Sequence, residues 1–355
     1  MKEIGLIEYI KNNLSTIFAP VSFVQLNSIQ SVENQQDFGV DLTAEVIINK
    51  KKKVRLLFEL KAEGQPRVAR FAAMELKHQV NQNKDMYGVF SAPFISDESK
   101  QICKDNNIGF LDLAGNYLFS FDTIYLNREG QINPNPSTRP LKSVFSTKST
   151  RILRVLLCSP KKEWYVQDLA KEAEISIGQA SNIKQQLLDW ELFEEKVVGR
   201  KTKLVLSKPE LLLQKWSENY SYTRNKSRNF YATDEVATLE NNIINYFLRG
   251  RAQYAFTLTS GASRVAPFLR YSRIYFYMQG DLDRLVKDLG WKEVGTGPNI
   301  TILEPYDEGI FYQTQEINQA KIVSNVQLYL DLQTLEARGK EAAQYLLEQK
   351  LRKEW

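Results

Sequence analysis

Residues 166–193 read VQDLAKEAEISIGQASNIKQQLLDWELF, and the spacing of the apolar residues within them decides how the middle of the chain folds. The first half predicts a short amphipathic helix with Leu169, Ala170 and Ala173 turned inward. Ile175 plugs the following turn and Ser176 caps a second helix. Small residues at Ala170 and Ala173 let two helices cross closely, as a helix-turn-helix requires. In the second helix, about 100° per residue places Ile177, Ala180, Ile183 and Leu187 on one face. Gly178, Ser181, Asn182 and Gln185 then point outward, with Gln179 and Lys184 on the flanks. A face made only for solubility would be richer in Glu and Lys. Short amides and hydroxyls suit base edges instead, because Asn and Gln pair with adenine N6 and N7 and Ser serves either partner.

The neighbouring segments complete a winged helix-turn-helix over residues 149–207. Ser149 is the expected N-cap of a first helix carrying Ile152, Leu153, Leu156 and Leu157, which Pro160 ends. After the second helix, EEKVVGRKTKLVLS (194–207) alternates around Gly199 and predicts a two-stranded wing presenting Arg200, Lys201 and Lys203. Cations on such a tip reach phosphates, setting position and affinity more than sequence preference. Ser207 and Pro209 supply the start of a trailing helix, 210–219. The expected DNA-binding residues are Gln179, Ser181, Asn182, Lys184, Gln185, Arg200, Lys201 and Lys203, and the expected partner is double-stranded DNA.

Outward from this module, 355 residues exceed what one core usually serves, so two or three domains are expected. NREGQINPNPSTRPLK (127–142) holds three prolines and no apolar periodicity, which marks a linker. A weaker boundary falls near 221–229. The resulting plan is an α+β multidomain chain: residues 1–128, a linker at 129–142, the winged helix at 143–222, and an α/β domain at 230–355. No apolar run approaches the span of a bilayer, and the start, MKEIGLIEYIKNNLSTIF, is broken by charges, so a cytoplasmic protein without membrane partners is expected. A net charge of +5 permits a polyanionic partner without requiring one. Cys103 and Cys158 lie far apart and read as small buried apolar residues. The single histidine, His78, excludes histidine-pair chemistry, a Ser-His-Asp triad and multi-histidine metal sites; it is expected on the exposed side of its helix.

In the N-terminal part, residues 41–48 and 54–61 alternate across a basic turn, NKKKK, and read as a hairpin. Leu42, Ala44, Val46 and Ile48 share its apolar face with Val54, Leu56, Phe58 and Leu60. With the turn centred near Lys51, Asp41 lies opposite Lys61 and Glu59 sits on the diagonal. Asp41, Glu59 and Lys61 in this order resemble the PD-(D/E)xK nuclease superfamily, of restriction-endonuclease-like fold. The downstream order agrees: a helix at 66–83, a strand YGVFSAPF, a helix at 97–106 and a strand pair around IGFLDLAGNYLFSF. The resemblance implies that, in an active enzyme, Asp41 and Glu59 hold Mg²⁺ and Lys61 stabilises the attacking water or developing charge. Glu8 is an additional acidic candidate. The usual Pro before the first Asp is Val40 here, E-x-K is a common triplet, and fold does not fix function. The expectation is a domain that docks rather than cuts, with no cofactor, and a Mg²⁺-dependent endonuclease as the alternative.

In the C-terminal part, LTSGASRVAPF (258–268), EPYDEGIF (304–311) and VSNVQLYLDLQTLEARGKEAA (323–343) resemble the AbiEi-type antitoxins of type IV, abortive-infection toxin-antitoxin systems. The resemblance implies a bacterial transcriptional regulator, often repressing its own operon, whose companion toxin resembles a nucleotidyltransferase. The domain itself is not expected to transfer nucleotides: that chemistry needs paired carboxylates on the strand after a Gly-Ser turn, and SGASRV leads into RIYFYM without an acid. Ser260 and Gly261 read as a helix start, Asp307 and Glu308 as turn residues.

Overall fold

Alternation between residues 42 and 60 builds the centre of the first sheet. The computed structural model describes residues 2–32, 40–81, 83, 85–133, 144–199, 201–250 and 252–355. It divides into two units, residues 1–137 with 188–191 and residues 138–187 with 192–355. Arg200 and residues 134–142 of the expected linker lie outside the described residues. No described helix is long and apolar enough to cross a membrane.

The first unit runs α1 (Lys2–Phe18), β1 (Val24–Ser31), β2 (Leu42–Ile48), β3 (Lys52–Leu60), α2 (Pro66–Val80), β4 (Met86–Ala92), α3 (Asp97–Asp105), β5 (Gly109–Asp112), β6 (Tyr117–Phe121) and β7 (Ile124–Arg128). The seven strands lie side by side in chain order. The β3–β4 and β4–β5 pairs are parallel and the others antiparallel. Leu6, Ile10 and Leu14 of α1 join the expected apolar face of the hairpin in one core. Ala69, Ala72 and Leu76 of α2 and Ile102 of α3 pack with Leu57, Phe90 and Phe110 in the other. Strands β1 and β7 add to the expected elements; β1, VQLNSIQS, is an edge strand whose polar composition hides its pairing.

The hairpin register corrects one expectation. Asn49 and Lys50 both take left-handed backbone, with φ of 51° and 58°. The turn closes through the Lys51 N–H to the Ile48 carbonyl at 3.0 Å, and pairing starts at Ile48 and Lys52. The centre therefore falls at Lys50, not Lys51, which sets Asp41 level with Glu59 rather than opposite Lys61.

The second unit begins with α4 (Ser149–Cys158), α5 (Val166–Glu172), α6 (Ile177–Asp189) and the hairpin β8 (Phe193–Val198) and β9 (Lys201–Leu206), followed by α7 (Pro209–Ser217). Three helices, a hairpin and a trailing helix thus occur in the expected order. Ile152, Leu153, Leu156 and Leu157 of α4, Leu169, Ala170 and Ala173 of the first crossing helix, and Ala180, Ile183 and Leu187 of the second are buried. Ser176 accepts the Gln179 N–H at 3.2 Å, as a cap should. Two other caps move. Lys148 takes the N-cap position of α4 while Ser149 lies inside the helix with its hydroxyl on Ser146 Oγ at 2.9 Å, and Lys208, not Ser207, precedes Pro209.

The remainder is a second mixed sheet with flanking helices: β10 (Lys226–Tyr231), α8 (Val236–Arg249), β11 (Gln253–Phe256), α9 (Leu258–Val265), β12 (Ile274–Gln279), α10 (Leu282–Leu289), β13 (Lys292–Glu293), β14 (Ile300–Glu304), β15 (Gln315–Ile317), β16 (Ala320–Ile322), α11 (Asn325–Gln333) and α12 (Gly339–Leu346). The strand order is β13-β10-β14-β12-β11-β16-β15. Ser260 and Gly261 fall in the first turn of α9, whose cap is Thr257. Gly261 is needed there because a Cβ would stand 3.0 Å from Leu328 Cδ1 and the Phe256 carbonyl oxygen.

A buried polar network joins the first helix of this unit to its second sheet. Arg154, fully buried, donates from Nε and Nη2 to Gln327 Oε1 at 3.1 and 2.8 Å, and from Nη1 to Thr150 Oγ1 at 3.2 Å. Gln327 passes the contact on, donating from Nε2 to Asp331 Oδ1 at 2.8 Å. Asp331 also accepts from Tyr220, Tyr277 and Thr257. Nearby, Arg151 donates to both oxygens of Asp307 at 3.0 Å, so Asp307 is an anchor as well as a turn residue. These contacts fix α4, and hence the helices packed on it, against the C-terminal elements.

Candidate nucleic-acid interface

The outward face of α6 is what its sequence spacing requires. Gly178, Ser181, Asn182 and Gln185 are exposed, and Gln179 and Lys184 are half-buried on the flanks. Ser146, Ser149, Gln179, Asn182, Gln185 and Gln186, with Ile183 at its base, line an open depression between the start of α4 and this face. One inward residue departs from expectation: Ile177 is 53% exposed. Glu174 turns the chain with φ of 53°, and Ile175, whose N–H reaches the Ala170 carbonyl at 3.0 Å, folds back toward the crossing helix. Ile175 is half-buried in the turn, and Ile177 at the first helical position projects outward.

In the β8–β9 hairpin, Val198 pairs with Lys201 across a two-residue tip at Gly199, whose φ is 62°. Val197, Val198 and Lys201 are exposed there. The cations divide by position. Lys201 lies at the tip with its ammonium 5.5 Å from the Tyr165 ring. Lys203 lies further from the tip and pairs with Glu163 at 2.9 Å; Lys196 holds the same carboxylate, and the two hydrogen bonds lower its pKa to about 2. Lys184 pairs with Glu195 of β8 at 2.7 Å, tying α6 to the hairpin. The Trp164 N–H and C=O bond the Leu204 backbone at 2.9 and 2.8 Å and brace β9 from its other side. Lys184 and Lys203 therefore brace the hairpin, whereas Lys201 stands exposed at its tip.

The acidic constellation of the first unit has a different character. Glu59 is fully buried, yet neither of its oxygens has a well-aligned hydrogen bond. Lys61 Nζ contacts it as an ion pair at 2.7 Å. Burial pushes the Glu59 carboxyl up to about 8, the neighbouring Glu75 carboxyl adds to the rise, and Lys61 opposes it. Asp41 accepts the Leu60 N–H through Oδ2 at 2.7 Å, so part of its capacity serves the strand edge. Glu75, on α2, went unnoticed in the sequence because only the packing of that helix on the sheet brings it near Glu59. Glu8 sits on α1, against the opposite face of the sheet, and does not join them. Among the described residues no three His, Cys, Asp or Glu side chains gather at metal-holding spacing.

Both thiols are held in the protonated form. Burial pushes the Cys103 thiol up to about 12 and Cys158 up to about 11, far from the thiolate a nucleophile needs. Cys103 is buried and Cys158 only partly so. His78 is exposed on α2.

Comparison with known proteins finds a similarity over one part of the chain. Residues 203–352 match the family described as "Transcriptional regulator, AbiEi antitoxin, Type IV TA system". The match starts in β9 and runs through the second sheet and its helices, so α4, α5 and α6 stand before it. No curated protein matches the chain. Among solved structures, the apo form of EndoMS is similar at 16% identity with a TM-score of 0.23, over 32% of this chain. The chain spans about 46% of that protein's length, and a likeness this small does not define a fold.

Proposed function

We propose that the protein is a transcriptional regulator of the antitoxin type that binds duplex DNA through a winged helix-turn-helix, residues 149–207, with α6 as the recognition helix. The observation that carries this reading is the exposed row Ser181, Asn182 and Gln185 on a helix whose opposite face is buried and which Lys184 ties to the hairpin that bears Lys201. Asn182 and Gln185 supply base-edge contacts in the major groove. Lys201 and Arg200 supply phosphate contacts that set register and affinity. The AbiEi match over residues 203–352 supports the regulatory role. Repression of its own operon and a nucleotidyltransferase-like toxin as companion belong to the same proposal. The nuclease-like domain acts in it without cutting.

The test is binding to duplexes selected from a random library by the full-length protein. Enrichment of one sequence that Asn182→Ala no longer prefers supports the reading; failure to enrich any sequence at low salt overturns it. A second reading, a metal-dependent nuclease, is favoured by one observation, the buried and poorly satisfied carboxylate of Glu59 beside Lys61. Plasmid cutting with Mg²⁺ or Mn²⁺ that disappears in Lys61→Ala would establish it.

A further inference from the structure

We infer that Ile177 is a specificity-determining residue that reads the C5-methyl group of a thymine in the major groove. The inference rests on the DNA-binding reading above and deepens it. Ile177 starts α6 and is 53% exposed. Helical spacing places 177, 181 and 185 on one ridge, four residues apart, so the isoleucine extends the polar row of Ser181 and Gln185 by one turn toward the N-terminus. The N-terminal residues of a recognition helix are those that enter the groove most deeply.

Two features decide what the side chain meets. Gly178 beside it has open space around the position of a Cβ, with no atom within 4 Å, so the first turn is slim enough for close approach to a groove floor. On the ridge that continues from Ile177, the exposed Ser181 and Gln185 carry hydroxyl and amide groups suited to base edges. In the major groove a base pair offers one apolar group, the thymine methyl. A branched aliphatic side chain that stays solvated in the free protein gains by covering it, because both surfaces leave water together.

The experiment uses the full-length protein and its library-selected duplex, with each thymine replaced singly by deoxyuridine, which removes the methyl and keeps every hydrogen-bonding edge. One position should lose about three- to tenfold in affinity, as expected for one buried methyl group. In Ile177→Ala the ratio between the thymine and uracil duplexes at that position should fall to near one, and in Ile177→Val it should stay above that. A flat uracil scan with wild type, or a sensitivity unchanged in Ile177→Ala, overturns the assignment while leaving the recognition helix in place. Failure to enrich any duplex overturns both together.

Discussion

Two buried carboxylates, Asp331 in the second unit and Glu59 in the first, share a raised pKa and little else. Asp331 is pushed up to about 6 by burial, against the pull of donors from Thr257, Tyr220, Gln327 and Tyr277. Its lone pairs are occupied, and Gln327 relays it to the cation of Arg154. Glu59 is pushed up to about 8, and its two oxygens lack aligned donors. A buried polar group whose hydrogen-bonding capacity is filled holds a fold together, whereas one left short of partners costs free energy and is retained only where something else compensates. The contrast separates a network that braces α4 from a carboxyl group left short of partners.

The largest expected effect breaks the first half of this contrast. Arg154→Ala leaves Asp331 without its relayed cation and opens a cavity, so the second unit should lose about 3–5 kcal/mol in urea denaturation. Trp216, whose ring lies 5.0 Å from the Arg154 guanidinium, makes a fluorescence probe of the loss. A loss below about 1 kcal/mol would mean the network is not a brace.

Titration addresses the second half. Glu59 holds its proton in the folded chain up to about pH 8, against about 4.5 when unfolded. The stability it contributes is therefore present below pH 4.5 and is lost as pH rises through 8, at about 1.4 kcal/mol for each pH step at most. Glu59→Gln should remove this slope. Asp331 has the same sign in a lower window, from about pH 4 to 6, so only the loss above pH 6 belongs to Glu59. An unchanged slope above pH 6 in Glu59→Gln would assign the titration elsewhere.

Smaller effects concern the interface that the brace supports. Asn182→Ala and Gln185→Ala should each reduce discrimination between the selected duplex and a scrambled one by about 1–3 kcal/mol, read by competition gel shift. Lys201→Ala should weaken all duplexes alike and reduce the salt slope by about one. Lys203→Ala should change the slope less, because Lys203 already answers Glu163. Equal slopes for the two lysine variants would remove the distinction between tip and brace.

The sequence made the outward row of α6 legible because helical period alone fixes which residues share a face. The same holds for the eight apolar residues of the β2–β3 hairpin, whose period of two needs no partner to be read. Asp41 and Glu59 were found as types, but their alignment depends on a turn in which two consecutive residues take positive φ, and a one-residue change of centre moves every cross-strand partner. Ile177 misled for a related reason. Its period is right, but it stands at the first position of the helix, where no neighbouring element covers it.

What the residues determined by themselves was local: the helices, the hairpins and the polar strip of α6. What only tertiary structure decided was which charges are already answered. Arg154 is a lone cation in an apolar run, and nothing nearby in sequence announces that Gln327 and Asp331, more than 170 residues later, will enclose it. Burial and long-range pairing set the cost of a charge, and both arise only when distant segments remove the water around it.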